Sequence, residues 1–208
     1  MKKGQNTRER LIDAMAQALR IYGYHGTSLS RLLKETGIPK GSMYHYFSSK
    51  KELVLCVIDE RLKPRIEDHL LFALRSGRSP LDAIIERVEE LKSADRLLKE
   101  RFLLMPLLIE TSGVEPQIHE AVQKLYDLIF NSLKKVLDEA EGSGDIHPID
   151  SEALSHFLLT LLLGSLSLSP STLQKAGYVK NLTLMQEYLR SLKVSKKERP
   201  KHIQQTLF

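Results

Sequence analysis

Apolar residues recur every three or four positions along almost the whole chain, and no convincing stretch of alternating apolar and polar residues interrupts them. That spacing gathers apolar groups on one stripe of an α-helix, whereas a half-buried strand needs a period of two. No internal repeat of solenoid length is visible either, so the sequence predicts an all-α globular protein. Its 208 residues, 42% of them hydrophobic, suffice for one large domain or two small ones with a sizeable core.

Local signals divide this pattern into elements. Leu11, Met15, Ala18, Leu19 and Tyr22 form one stripe, with Asn6 or Thr7 as N-cap and Gly23 as terminator. Thr27 or Ser28 can cap a short second helix whose Leu29, Leu32 and Leu33 face inward, and Gly37 supplies the left-handed residue that ends it. Pro39 opens a third helix, because its ring presets φ and its missing N–H is not needed in the first turn. Two short helices about a tight glycine turn make a helix-turn-helix.

Ser49-Lys50-Lys51-Glu52 reads as a capping box that starts a fourth helix running past Arg61, with Pro64 expected to kink or divide it. Ser79-Pro80 begins another, and further helices are expected at 80–92, 95–110, 115–141, 150–168 and 179–193. The domain boundaries that follow are a three-helix helix-turn-helix domain at 1–50 and a larger helical domain at 51–193. Residues 194–208 form a basic tail, expected to be disordered.

Charge separates the two parts. Residues 1–50 carry nine Lys and Arg against three acids, a net of +6, and the rest of the chain sums to −1. An excess confined to the first quarter points to a polyanion met by that part alone, because lysine and arginine gain affinity by displacing counterions from phosphates.

Other function classes find little support. The single Cys56 excludes an internal disulfide and reads as core, which fits a cytoplasmic protein. No secretory signal is visible, and the apolar run Phe157–Leu168, interrupted by Gly164 and Ser165, reads as a buried helix rather than a membrane span. Gly142-Ser143-Gly144-Asp145 lacks the strand and lysine of a phosphate loop, and Ser155 and His156 point about 100° apart on a helix. The histidines show no metal-ligand spacing, so no catalysis, metal or cofactor is expected.

The densest signal is Gly37-Ile38-Pro39-Lys40-Gly41-Ser42-Met43-Tyr44-His45-Tyr46-Phe47, in a chain only 6% aromatic. The second helix of a helix-turn-helix offers its N-terminal residues to base edges in the major groove. Lys40 and Ser42 lie on that first turn, Gly41 permits close backbone approach, and a tyrosine hydroxyl suits phosphate.

Together with Thr27-Ser28-Leu29, Leu32-Leu33, Tyr46-Phe47 and Lys50-Lys51-Glu52-Leu53, this stretch resembles the DNA-binding signature of TetR-family repressors, over residues 7 to 58. Leu33 replaces the usual alanine and Met43 a commoner leucine or isoleucine, both still apolar. Residues 101–168 are similar, less specifically, to the ligand domains of some of these regulators.

The resemblance implies that Lys40, Ser42 and His45 face base edges or adjacent phosphates, that Tyr44 and Tyr46 brace the backbone, and that Lys50, Ser28 and Ser30 hold phosphates. His45 can equally be a solvated surface residue. The resemblance further implies a homodimer joined through the last two long helices, with middle helices enclosing a small-molecule effector. Phe157, Leu158, Leu161, Leu162 and Leu166 exceed one buried face and agree with such a dimer, although a buried core helix explains them too.

Phe102, Met105, Leu108, Tyr126, Phe130 and Phe157 are the candidate lining of a mostly apolar pocket, plain packing being the alternative. The expected function is a repressor released from a near-palindromic DNA operator by that effector. The alternative is a DNA-binding architectural or partner-recruiting protein with no effector.

Overall fold

The computed structural model describes residues 3–68, 79–93, 103–168 and 172–194. These residues are almost entirely helical, as the spacing predicts, and contain no strand beyond an isolated antiparallel bridge between Ile146 and Lys193. The basic tail beyond Val194 lies outside them.

The helices are α1 (Lys3–Gly26), α2 (Leu29–Thr36), α3 (Lys40–Tyr46), α4 (Lys50–Val57), α5 (Pro80–Ser93), α6 (Leu104–Thr111), α7 (Pro116–Gly142), α8 (Ser151–Leu168) and α9 (Thr172–Ser191). They form two compact units, one of residues Met1–His69 and Arg96–Ile129, the other of Leu70–Asp95 and Phe130–Phe208. This division differs from the expected 50/51 boundary, because α4, α6 and the start of α7 join the helix-turn-helix in the first unit.

In that unit α1 packs against α2, α3, α4 and α6. Leu11, Met15, Ala18 and Leu19 are buried as the stripe predicts, and Ile12 and Ala16 join them. Tyr22 is 39% exposed instead, with the Arg31 guanidinium over its ring. The helix starts at Lys3, ahead of the expected cap at Asn6 or Thr7. Gly23 interrupts it with φ 70° and ψ −176°, a conformation that only glycine adopts readily.

Gly37 ends α2 at φ 67°, and Pro39, at φ −61° and ψ 142°, is the N-cap of α3 rather than its first residue. The capping box forms only in part. Ser49 Oγ accepts from the Glu52 amide at 3.1 Å, while the Glu52 carboxylate reaches one residue further back, to the Ser48 N–H and hydroxyl.

The fourth helix is divided ahead of Pro64, as expected, and α4 ends at Val57. A π-helical turn, Ile58–Leu62, precedes the proline, and helix continues through 63–68. Proline cannot donate to the carbonyl four residues back, so Glu60 would lose its partner there. Arg61 Nη1 donates to that carbonyl at 3.1 Å.

The second unit holds α5, α8, α9 and the later part of α7. Gln186, 2% exposed, donates through Nε2 to the Ile85 carbonyl and accepts from Lys92 Nζ, so its burial between α9 and α5 leaves its amide satisfied. The α9 helix starts at Thr172, seven residues before the sequence places it, because neither Gly177 nor a proline stops the pattern there. By length and composition α8 is long and apolar enough to cross a membrane, but Leu154, Leu158, Leu159 and Leu163 bury one face of it in this unit.

Candidate nucleic-acid interface

Helix α3 is anchored from beneath. Met43 is fully buried, and Phe47 is 1% exposed with the Arg8 guanidinium 5.6 Å from its ring. At about 100° per residue, Lys40, Tyr44, Gly41 and His45 fan across about 140° of the opposite surface. All four are exposed, and Ser42 and Tyr46 are half-buried at the margins.

Lys40 Nζ sits 5.7 Å from the Tyr44 ring, and His45 meets the Tyr46 ring edge-on at 4.9 Å. Beyond its chain neighbours and its own helix backbone, no atom stands within 4 Å of a Cβ built on Gly41, so packing inside the protein does not require glycine there.

The charge excess of this region splits by partner. Arg8 pairs with Glu60, Arg61 with Glu9 and Asp13, and Arg10 donates to the Thr36 carbonyl at 2.9 Å. Hydrogen bonds from Arg8 hold the Glu60 carboxyl below the usual carboxylate range. These cations tie α1 to α2 and to the π-turn. Lys40 and Arg31 instead lie over tyrosine rings, which leave their N–H groups available to a ligand.

Lys50 is placed otherwise than an open phosphate ligand would be. Its half-buried ammonium donates to the Tyr24 carbonyl and lies 4.1 Å from the Tyr24 ring. Burial lowers its pKa, while Glu115 and Glu110 oppose that shift. Tyr24 OH donates to Glu115 at 2.6 Å, and the His25 amide donates to the Glu110 carboxylate at 3.1 Å. Two carboxylates from the α6–α7 corner therefore grip the end of α1, and Lys50 binds the start of α4 to the same point. Tyr24 stands far in sequence from Glu110 and Glu115, and no local motif marks the three.

Ser28 and Ser30 are both exposed at the start of α2, their hydroxyls 2.7 Å apart, and Ser28 makes no side-chain cap.

The candidate effector residues divide between the two units. Phe102 lies outside the described residues. Met105, Leu108 and Tyr126 are half-buried in the first unit. Phe130, in the second, packs its ring 4.4 Å from that of His156. Phe157 is 55% exposed and faces outward, where it meets Tyr188 across α8 and α9. That surface holds an open groove of about 710 Å³, lined by Leu154, Phe157, Leu161, Asn181, Leu184 and Tyr188 among others. Among the described residues no three His, Cys, Asp or Glu side chains are disposed to hold a metal.

A short helix pair about a left-handed glycine, with a polar outer helix on a basic unit, defines a helix-turn-helix DNA-binding protein. Residues 11–57 match the family model for bacterial regulatory proteins of the tetR family. The chain is similar to an uncharacterized HTH-type transcriptional regulator in the lacX 3′ region of Lactococcus lactis subsp. lactis, at 30% identity over 79% of this chain and 83% of that one.

A TetR transcriptional regulator from Chloroflexus aurantiacus J-10-FL shares the fold, with a TM-score of 0.81 and 23% identity over 94% of this chain and 100% of its own. Salmonella enterica GusR aligns with a TM-score of 0.70 and 26% identity over 93% of this chain and 98% of its own. The chain belongs to the TetR family of bacterial regulatory proteins and is a DNA-binding transcriptional regulator.

Proposed function

We propose that the protein is a homodimeric repressor that reads a near-palindromic operator through α3 and is released from it by a small, mostly apolar ligand. The observation that carries the regulatory part is the grip of Glu110 and Glu115 on Tyr24 and His25, with Lys50 bound to the same point. Leu108 and Glu110 share α6, so a ligand that shifts Leu108 also pulls on the end of α1 and on the helix-turn-helix.

Duplex DNA offers half-sites at a fixed spacing, so a ligand that prefers the wrongly spaced dimer lowers operator affinity by that preference. Lys40, Gly41, Ser42 and His45 are the proposed readers. Tyr44, Tyr46, Ser28 and Ser30 are the proposed backbone contacts. The apolar groove on α8 and α9 fits the dimer face, to which Phe157 is now assigned in place of the pocket.

Selection of bound sites from random DNA, followed by a metabolite screen for release, tests the proposal. Sequence-independent binding, or a selected operator that no small molecule releases, counts against it. Lys40→Ala should cost about 1–3 kcal/mol of operator binding and relax preference at one base position. Lys50→Ala should weaken all sequences alike and also lower the thermal midpoint, because it frees the Tyr24 carbonyl. An unchanged midpoint would place its ammonium on DNA alone.

Gly41→Ala should leave the fold as stable or more so, by up to about 1 kcal/mol from helix propensity, yet weaken operator binding. If binding is unchanged, backbone approach at Gly41 is not part of the complex.

A further inference from the structure

We propose that Arg31, on the first turn of α2, is a further DNA-backbone contact, and that the Tyr22 ring holds its guanidinium ready for a phosphate. The inference rests on the DNA-binding reading of the helix-turn-helix and extends it to a residue that the sequence counts only as charge.

Arg31 is exposed, and its guanidinium carbon lies 4.7 Å from the centre of the Tyr22 ring. Arg8 also lies over a ring, that of Phe47, but its fork is taken by Glu60. Arg61 spends its fork on carboxylates, and Arg10 spends its own on a carbonyl. Stacking on a ring face leaves the in-plane N–H fork open, and it restricts side-chain freedom before a ligand arrives. Tyr22 is exposed although the periodicity of α1 assigns it to the core, and serving as a shelf for Arg31 accounts for its place.

The position is electrostatically adverse in the free protein. Ser28 is the N-cap of α2 and Arg31 the third residue after it, where a glutamate would close a capping box and suit the helix dipole. The first turn of α2 contains no acid at all. A cation there costs stability unless something anionic meets it, and a phosphate does so. Ser30, Arg31 and Lys34 share the exposed side of α2, opposite buried Leu32, so the fork and a serine hydroxyl lie on one surface.

The test measures binding of the full-length protein to its selected operator across a salt series, with circular dichroism confirming each variant's fold. Arg31→Ala should weaken operator and unrelated DNA by the same factor and reduce the slope of log K against log salt by about 0.9. Arg31→Glu should bind DNA more weakly still while melting at the same or a higher temperature, because a glutamate at this position suits the helix dipole and can reach back to the Ser28 amide.

Tyr22→Ala should keep the slope, since the charge remains, and lose affinity through lost orientation. Wild-type affinity and slope in both Arg31 variants would overturn the assignment while leaving the DNA-binding reading intact. If wild-type protein selects no operator, that reading falls, and the role of Arg31 with it.

Discussion

Gly23→Ala should destabilise the protein by about 2–3 kcal/mol in denaturant unfolding, far more than the same change at Gly37. Both glycines have positive φ, 70° and 67°, but their surroundings differ. With ψ near −176°, Gly23 lies in a region closed to side chains, whereas Gly37 at ψ 13° is an ordinary left-handed cap that alanine enters at a cost of about 1 kcal/mol.

A Cβ on Gly23 would also overlap the Glu110 carboxylate, while one on Gly37 meets nothing within 4 Å. Glu110 can swing aside only by giving up the His25 amide, so the substitution should weaken the link between α6 and the helix-turn-helix as well as the fold. Equal losses at the two glycines would show that the grip on the end of α1 contributes nothing.

Replacing both Phe157 and Leu184 by aspartate should give a folded monomer whose operator affinity falls by roughly 10²–10⁴-fold, the loss expected when two linked reading heads are separated. The two side chains are 55% and 62% exposed, so little of the protein's own packing is removed and its melting point should hold. Paired carboxylates on an apolar face oppose its burial against a second copy. Sedimentation equilibrium beside a DNA titration reads both effects. A dimer that survives the double substitution places the interface elsewhere.

Much of this was legible in the sequence because its signals are local. Gly37, Pro39 and the Ser49 cap each act within a few residues, and the helix-turn-helix appears where they place it, with Met43 and Phe47 buried beneath α3. Pro64 marks the division of the fourth helix but not its exact place, which falls in the preceding π-turn, where Arg61 serves the carbonyl that proline abandons. Lys50 reads as an exposed phosphate ligand until the fold brings Tyr24, Glu110 and Glu115 around it. Phe157 reads both as pocket lining and as dimer face, because apolar character alone does not say which face of a helix meets its own unit and which faces away.

The central claim is that α3 reads DNA sequence, and a competition titration across a salt series tests it most directly. The selected palindrome should bind with a steep negative salt slope and outcompete scrambled DNA at physiological ionic strength by on the order of 10³-fold or more. Lys40→Ala should narrow that ratio. Equal affinity for palindrome and scrambled DNA at every salt concentration, unaltered by Lys40→Ala, would contradict the claim.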